Sequence, residues 1–193
     1  MVEAITKKAA TSKGGIKSFN QLLLKFPVLG VGFNKCRELF SSVDEKKNGV
    51  IDIGGLVKNL AHIGIEESDH DILLNIFTAA DIDNSKRIDE KEFIILLAIF
   101  HLLKGSDPDF NLNKDVRTTF QVAEDTFCYF DSSRDGYIEK EEVRAAILKS
   151  DGGEMLSMAQ QRFNELDWDK NGNISYAEFV YGLSRWVSDY QNE

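Results

Sequence analysis

The sequence predicts an all-α fold of four helix–loop–helix units in two pairs, with an extra helix near the N-terminus. An oxygen-rich pattern of twelve residues occurs four times among the 193 residues, in copies that begin at Asp44, Asp81, Asp131 and Asp167. These starts are 37, 50 and 36 residues apart, so the short intervals mark two pairs and the long one marks the join. Apolar residues keep one register around every copy, which is typical of a repeated supersecondary unit.

The last copy, from Asp167 to Glu178, shows the pattern in full. Oxygen side chains stand at the first, third, fifth and twelfth places, and Gly172 at the sixth allows a positive φ. Calcium takes six to eight oxygen ligands at about 2.3–2.6 Å, which a loop with this spacing supplies. An acidic surface turn could show the pattern once, but not four times in register. This is an EF-hand calcium loop, and its predicted ligands are Asp167, Asp169, Asn171, Asn173 and Glu178.

The second and third copies keep most of these places. Their predicted ligands are Asp81, Asp83, Ser85, Arg87 and Glu92 in the second, and Asp131, Ser133, Asp135, Tyr137 and Glu142 in the third. Arg87 and Tyr137 stand at the seventh place, which binds through its backbone carbonyl. In the second copy Lys86 replaces the usual glycine, so a left-handed turn there costs about 1 kcal/mol. Because its charge also lies near the ion, we expect weaker binding than in the C-terminal loops.

The first copy, Asp44 to Gly55, is degenerate. Lys46 places an ammonium where an oxygen belongs, and Gly55 removes the two-oxygen carboxylate of the twelfth place. The remaining oxygens cannot fill the coordination shell of calcium. The sequence therefore predicts about three calcium sites, and it leaves open that magnesium occupies them at rest. The first loop keeps a structural role, through pairing of Ile51 with Ile88.

The flanking apolar residues predict a helix on each side of every loop and a short strand within it. A phenylalanine lies four residues before each loop, at Phe40, Phe77, Phe127 and Phe163. An isoleucine stands at each eighth place, at Ile51, Ile88, Ile138 and Ile174. Apolar residues also lie one and five places past each loop, at Leu56, Phe93, Val143, Phe179, Leu60, Leu97, Ile147 and Leu183. β-branched isoleucine suits the strand through which paired loops bond.

We divide the chain into a mobile N-terminal segment, an N-terminal EF-hand pair, a linker and a C-terminal EF-hand pair. The predicted boundaries are 1–15, 16–104, 105–114 and 115–193. The first segment is polar and rich in small residues, as mobile termini are. Gly105 and Pro108 interrupt the helical pattern in the linker, so we expect no long rigid rod there.

Two predicted helices need separate comment: one that precedes the first loop and the outgoing helix of the second loop. Apolar residues at helical spacing indicate an extra helix at 16–26, which ends at Pro27. It either packs on its own lobe or occupies a target groove until calcium releases it. The helix at 93–103 is apolar nearly all round, so we expect it to be buried on several sides. His101 within it is interpreted as a core or boundary histidine rather than a metal ligand.

Composition excludes several classes of function. The net charge of −9 and the pI near 4.9 argue against nucleic-acid binding, which needs a basic face. No apolar run reaches the roughly 20 residues of a membrane span, and the start lacks a signal-peptide core. No nucleophile motif, phosphate loop or kinase signature occurs, so we expect no enzyme. The two cysteines form no disulfide framework, which indicates a reducing compartment: the cytoplasm, with the nucleus left open.

The N-terminal region carries a resemblance to a known family. The segments Lys17-Ser18-Phe19-Asn20, Leu24-Lys25-Phe26-Pro27 and Lys35-Cys36-Arg37, together with the four loops, resemble the longer, divergent plant calmodulin-like proteins. The resemblance covers nearly the whole chain and implies intracellular calcium sensing without catalysis. Family members with this phrase often begin Met-Gly, whereas Val2 follows Met1 here, so no lipid anchor is expected.

Three functions remain open. The first is a calcium sensor that exposes an apolar surface and regulates a target protein, through an amphipathic helix of that target. The second is a calcium buffer that holds the ion without changing shape. The third is a compact EF-hand protein that encloses a small organic ligand. The degenerate loop beside an intact one and the apolar helix at 93–103 favour the sensor. The absence of methionine from the main helices favours the buffer, and for a sensor it favours few, specific partners.

Overall fold

The computed structural model describes residues 1–11, 21, 24–65, 70–105, 107, 110–151, 161 and 163–191. Its helices are α1 (Val2–Thr11), α2 (Phe26–Val43), α3 (Ile53–Asn59), α4 (His70–Ala80), α5 (Glu90–Lys104), α6 (Lys114–Phe130), α7 (Lys140–Asp151) and α8 (Tyr176–Gln191). A 3₁₀ helix (Ala61–Ile63) follows α3, and residues 163–166 are helical. The strands β1 (Val50–Ile51), β2 (Ile88–Asp89), β3 (Ile138–Glu139) and β4 (Asn173–Ile174) have two residues each. The predicted all-α EF-hand fold is confirmed.

The short strands join the loops in pairs. β1 and β2 run antiparallel with Ile51 opposite Ile88, and β3 and β4 run antiparallel with Ile138 opposite Ile174. The eighth-place isoleucines thus face each other, as the repeat register predicts. All four side chains are at most 3% exposed, so each strand pair also contributes to the core beneath its loops.

The chain forms two compact units whose boundary differs from the predicted one. One unit contains Val31–Phe120, and the other combines Met1–Gly30 with Gln121–Glu193. The sequence places the boundary at 105–114, where Gly105 does end α5, but the division falls within α6. The reason is that the first turns of α6 pack against α2: a Cβ atom on Gly32 would collide with the Thr119 side chain.

The unit Val31–Phe120 has its core around α5. Eight consecutive side chains of this helix are at most 2% exposed: Phe93, Ile94, Ile95, Leu96, Leu97, Ala98, Ile99 and Phe100. Phe93 meets Phe40 edge to face, with ring centroids 5.6 Å apart. His101 is 6% exposed and lies between two aromatic rings, 6.5 Å from Phe110 and 5.8 Å from Phe120. The predicted buried helix is therefore present, and its histidine belongs to the core.

The second unit has an aromatic core around α6 and α8. The ring of Phe127 meets Tyr176 and Phe179 edge to face, at centroid distances of 5.5 and 5.6 Å. Gly182 allows Leu166 to pack directly on α8, because a Cβ atom there would collide with the leucine side chain. The helix α1 belongs to this unit, with Ile5 fully buried.

The N-terminal region departs from the sequence prediction. Residues 1–15 are predicted mobile, whereas residues 2–11 form α1, because Ile5 and Ala9 lie one helical turn apart and are both buried. Pro27 does not end a helix; it lies in the first turn of α2, where its missing N–H costs no hydrogen bond. Most of the predicted helix at 16–26, namely residues 16–20, 22 and 23, lies outside the described residues. No helix in the described ranges is long and apolar enough to span a membrane.

Because α2 and α6 cross closely at Gly32, we expect alanine to destabilise the protein more at this position than at Gly54. Gly32→Ala should lower the free energy of unfolding by about 1–3 kcal/mol, because the methyl group overpacks the crossing. Its Cβ would also lie 2.8 Å from the backbone oxygen of Asp115. Gly54→Ala in α3 is the control, because its Cβ would stand 3.5 Å from Asp52 Oδ1, an ordinary contact. Urea denaturation measures both variants, and equal effects would contradict the crossing.

Candidate metal centre

All four loops share one backbone conformation. The sixth residue has a positive φ in each, at Gly49 (80°), Lys86 (61°), Gly136 (89°) and Gly172 (87°). The fourth residue does too, at Lys47 (49°), Asn84 (57°), Arg134 (64°) and Lys170 (60°). The sequence indicates the sixth place through its glycines. It gives little sign of the fourth, because only Asn84 is of a type that favours this region.

The first aspartate of each loop binds the backbone of the sixth residue. The N–H groups of Gly49, Lys86, Gly136 and Gly172 donate to the first-place carboxylates over 2.8, 2.9, 3.0 and 3.1 Å. The accepting residues are Asp44, Asp81, Asp131 and Asp167, which are 8%, 9%, 1% and 9% exposed. Each turn is therefore closed before any ion enters, and its first predicted ligand is already oriented.

The fourth loop brings three predicted ligands together. Carboxylate oxygens of Asp167, Asp169 and Glu178 lie within 4.8 Å of one another. Asp167 Oδ1 and Glu178 Oε1 are buried and accept no hydrogen bond from the described residues. Glu178 Oε2 accepts from the backbone N–H and the hydroxyl of Ser175, at 2.8 and 2.7 Å. Buried anionic oxygens without donors are costly, and a hard cation is the group that satisfies them.

Electrostatics of the fourth loop agree with this geometry. Burial raises the pKa of the Glu178 carboxyl above its usual range, and repulsion from Asp169 and Asp167 adds to the rise. Asn171, the predicted fifth-place ligand, donates its side-chain amide to Asp169 Oδ2 over 2.7 Å. The backbone N–H of Asn173 donates to Asn171 Oδ1 over 2.8 Å, which leaves its carbonyl as the predicted ligand. The donor set fits calcium.

The second loop also forms a carboxylate cluster, but its glutamate is held by the backbone. Oxygens of Asp81, Asp83 and Glu92 lie within 4.8 Å of one another. Glu92 Oε1 accepts from the N–H of Ile82 over 3.0 Å, and Oε2 accepts from Asp89 over 2.9 Å. Burial raises the pKa of Glu92, with repulsion from Asp89 adding to the rise. To bind an ion through both oxygens, this glutamate would have to give up these N–H partners.

A hydrogen bond joins Ser85 and Arg87, the other two predicted ligands of the second loop. The hydroxyl of Ser85 donates to the backbone carbonyl of Arg87 over 3.1 Å, so the fifth and seventh places lie side by side. Lys86 between them has the predicted positive φ. The second loop therefore keeps the arrangement of its predicted ligands. It also has the backbone strain and the positive charge at Lys86 that the sequence predicts.

The third loop forms no three-carboxylate cluster, because Ser133 stands at the third place. Its hydroxyl donates to Asp131 Oδ1 over 3.3 Å, and Asp135 Oδ1 accepts from the N–H of Tyr137 over 2.9 Å. Glu142 Oε1 accepts from the N–H of Ser133 over 2.8 Å. Burial raises the pKa of Asp131, and repulsion from Glu142 adds to the rise. The five predicted ligands share the loop, but hydrogen bonds occupy several of their oxygens.

The first loop binds its own lysine. Lys46 Nζ lies 3.1 Å from Asp52 Oδ2, so the ammonium already neutralises one of the few remaining carboxylates. Asp52 Oδ1 accepts from the N–H of Gly55 over 2.8 Å and caps α3. The twelfth place offers no carboxylate. This loop has the same backbone conformation as the others, but its side chains suit a structural role rather than calcium binding.

Comparison with known proteins agrees with the loop geometry. The family described as an EF-hand domain pair matches residues 47–99, and a second family of the same description matches residues 120–184. The "Probable calcium-binding protein CML21" of Arabidopsis thaliana is 34% identical over 200 residues, covering 100% of this chain and 85% of that protein. The chain belongs to the EF-hand calmodulin-like family. The resemblance stated from the sequence is thereby confirmed.

Two further relatives show how much of each protein the sequence similarity covers. The "Probable calcium-binding protein CML22" of Arabidopsis thaliana is 29% identical over 181 residues, covering 89% of this chain and 79% of that protein. "Calcium-dependent protein kinase 20" of Oryza sativa subsp. japonica is 30% identical over 145 residues. That match covers 75% of this chain but only 24% of the kinase. The similarity therefore covers most of the length of the two calcium-binding relatives and a minor part of the kinase.

The residue at the sixth place of the second loop can be tested directly. Lys86→Gly should raise the free energy of unfolding by about 1 kcal/mol relative to Lys86→Gln. Both substitutions remove the charge, but only glycine relieves the φ of 61°. Calcium affinity at this loop should rise in both variants, because a cation no longer faces a neighbouring ammonium. Urea denaturation and calorimetry measure the two effects, and equal stability of the two variants would exclude backbone strain.

Proposed function

We propose that this calmodulin-like chain is a calcium sensor without catalytic activity. It binds calcium at the loops that begin at Asp81, Asp131 and Asp167, most weakly at the first of these, and magnesium occupies the sites at rest. The observation that carries the proposal is that the buried Asp167 Oδ1 and Glu178 Oε1 accept no hydrogen bond from the described residues. The match to 24% of a kinase supports a binding module rather than an enzyme.

The closing glutamates connect ion binding to helix movement. Glu92, Glu142 and Glu178 each lie in the first turn of an outgoing helix, in α5, α7 and α8. Each accepts the N–H or hydroxyl of a loop residue. To give two oxygens to an ion, such a glutamate must leave its loop partners and carry the start of its helix with it. Sensor EF-hands open in this way, whereas buffers barely move.

The residues that follow the glutamates support a sensor rather than a buffer. Phe93 and Leu97 on α5 are fully buried, and Phe179 and Leu183 on α8 are 3% and 1% exposed. Movement of these helices would therefore uncover apolar surface. We propose that this surface takes an amphipathic helix of a target protein. A groove of phenylalanine and leucine is stiffer than one of methionine, so it fits a few matched partners.

We propose the cytoplasm as the location, with the nucleus as a second compartment. Both cysteines are free thiols, with Cys36 buried and Cys128 half-buried. Burial raises the pKa of Cys128 to about 12, and the nearby carboxylate of Asp131 adds to the rise. Such thiols are inert packing groups, and their reduced state is consistent with a reducing compartment.

The function is tested by calorimetric calcium titration at fixed magnesium, with hydrophobic-dye fluorescence in parallel. We expect three ions per chain and a calcium-dependent rise in dye fluorescence. Glu178→Gln should lower the calcium affinity of the fourth loop roughly 100-fold. Loss of a residue that only supports a ligand lowers metal affinity up to about 100-fold, and Glu178 is a predicted ligand itself. Because Ile138 pairs with Ile174, Glu178→Gln should also weaken the third loop.

Glu141→Gln is the matched control, since this exposed acid lies in the first turn of α7 beside a predicted ligand. Trp168, whose ring lies 4.6 Å from that of Tyr181, reports locally on the fourth loop. Three bound ions without a dye response would indicate a buffer. No bound ion at the fourth loop would overturn calcium binding as the function.

The degenerate loop gives a gain-of-function test. Lys46→Asp combined with Gly55→Glu restores the third and twelfth places and should raise the stoichiometry by one, at a Kd of about 10⁻⁴–10⁻³ M. A Cβ at Gly55 would lie 3.3 Å from Asp52 Oδ1, so a small adjustment of this cap is needed. Lys46→Asp alone should add no ion, because the twelfth place stays empty. An unchanged stoichiometry in the double variant would mean that further residues disable the loop.

A further inference from the structure

The helix α1 is anchored on the unit that contains the third and fourth loops. Its buried face consists of Ile5, fully buried, and Ala9, which is 8% exposed. Lys8 Nζ lies 2.8 Å from Glu124 Oε2 and donates to Gln121 Oε1 over 3.1 Å, both on α6. The Glu124 side chain is fully buried and that of Lys8 is 29% exposed, so the carboxylate of this ion pair is shielded from water. Breaking such a pair leaves an uncompensated buried charge, which strongly opposes undocking.

The other end of α1 covers the third loop at its tightest point. A methyl group placed on Gly136 would stand 2.8 Å from Val2 Cγ1, and 3.4 Å from Ile5 Cγ2 and Thr6 Cγ2. Gly49 and Gly172 hold the same sixth place in the first and fourth loops, and a methyl there meets nothing within 4 Å. Within the described part of the chain, the third loop is the one of these three whose sixth-place glycine has a helix packed against it.

This contact shields the hydrogen bond that closes the third loop. Gly136 has a φ of 89°, and its N–H donates to Asp131 Oδ2 over 3.0 Å. Asp131 is 1% exposed, whereas the first aspartates of the other three loops are 8–9% exposed. With α1 docked, water is kept from this bond, and the turn loses the freedom to open.

The arrangement of its carboxylates gives the third loop a need for such support. Ser133 replaces a carboxylate at its third place, and no three-carboxylate cluster forms there, unlike in the second and fourth loops. Because the carboxylates of this loop do not gather into such a cluster, affinity depends more on a backbone that is already in the ligating conformation, since less entropy is lost on binding.

We propose that α1 is a brace for the third calcium loop: its docking raises calcium affinity at Asp131–Glu142, and calcium at this loop tightens the docking of α1. The second half follows from the first, because linkage between two binding events is reciprocal. The inference rests on the proposed calcium binding. Val2, Ile5, Thr6 and Lys8 are thus positioning residues for an ion that they do not touch.

The test uses two backbone amides as site-resolved reporters in the full chain. Gly136 and Gly172 donate to the first aspartates of the third and fourth loops, so their NMR shifts follow each site separately during a calcium titration. Ile5→Ser and Lys8→Gln each loosen one anchor of α1. Ala10→Ser and Lys7→Gln, at exposed positions of the same helix, are the matched controls.

We expect the calcium concentration at half-change of the Gly136 shift to rise about tenfold in Ile5→Ser and Lys8→Gln, and less for Gly172. Neither control should move either midpoint. A Gly136 midpoint within twofold of the parent in both anchor variants would overturn the brace. A midpoint that falls would overturn it too, and would make α1 a competitor of calcium. A parent chain whose Gly136 shift ignores calcium would instead contradict the third site itself.

A second measurement checks reciprocity and does not depend on how the variants fold. Amide hydrogen exchange at Ile5 should slow on calcium addition to the parent chain, by the same factor of about ten. The protection should be lost in Glu142→Gln, which removes the closing ligand of the third loop, and kept in Glu141→Gln. Equal exchange with and without calcium in the parent would exclude the linkage.

Discussion

The hydrogen bond from the sixth-place N–H to the first-place aspartate is the interaction on which the loops depend. It occurs in all four loops at 2.8–3.1 Å, including the loop that lacks a closing carboxylate. It requires a positive φ at the sixth residue, which glycine adopts freely and Lys86 adopts at a cost. Because the bond orients the first ligand and brings the eighth residue to the strand, both the ion site and the loop pairing follow from it.

The four loops share this frame but differ in how their carboxylates are satisfied. In the fourth loop one oxygen each of Asp167 and Glu178 accepts no hydrogen bond from the described residues, whereas in the second and third loops both oxygens of the closing glutamate accept N–H groups of their own loop. In the first loop a lysine neutralises Asp52. One backbone therefore supports different electrostatic states, because the hydrogen bonds and ion pairs around the carboxylates decide how much negative charge is left for an ion.

The position of α1 shows how a short helix can act on one loop of a pair. Its residues reach the third loop through Gly136 and the adjacent helix through Glu124, while the turn of the fourth loop stays open. An amphipathic helix of ten residues is marginal alone, so α1 owes its structure to this surface. The same contacts that fold α1 limit the motion of the loop beneath it.

The sequence by itself determined the repeat, the all-α EF-hand class, the pairing of Ile51 with Ile88 and of Ile138 with Ile174, and the defect at Lys46 and Gly55. These properties follow from local ligand chemistry and a fixed register. Only the tertiary structure decided that residues 2–11 form a helix, that Pro27 opens α2, and that the unit boundary falls within α6. Each depends on contacts between residues far apart in the chain, such as Lys8 with Glu124 and Gly32 with Thr119. Local patterns cannot specify such contacts, because burial of a small apolar face becomes favourable only where a complementary surface exists.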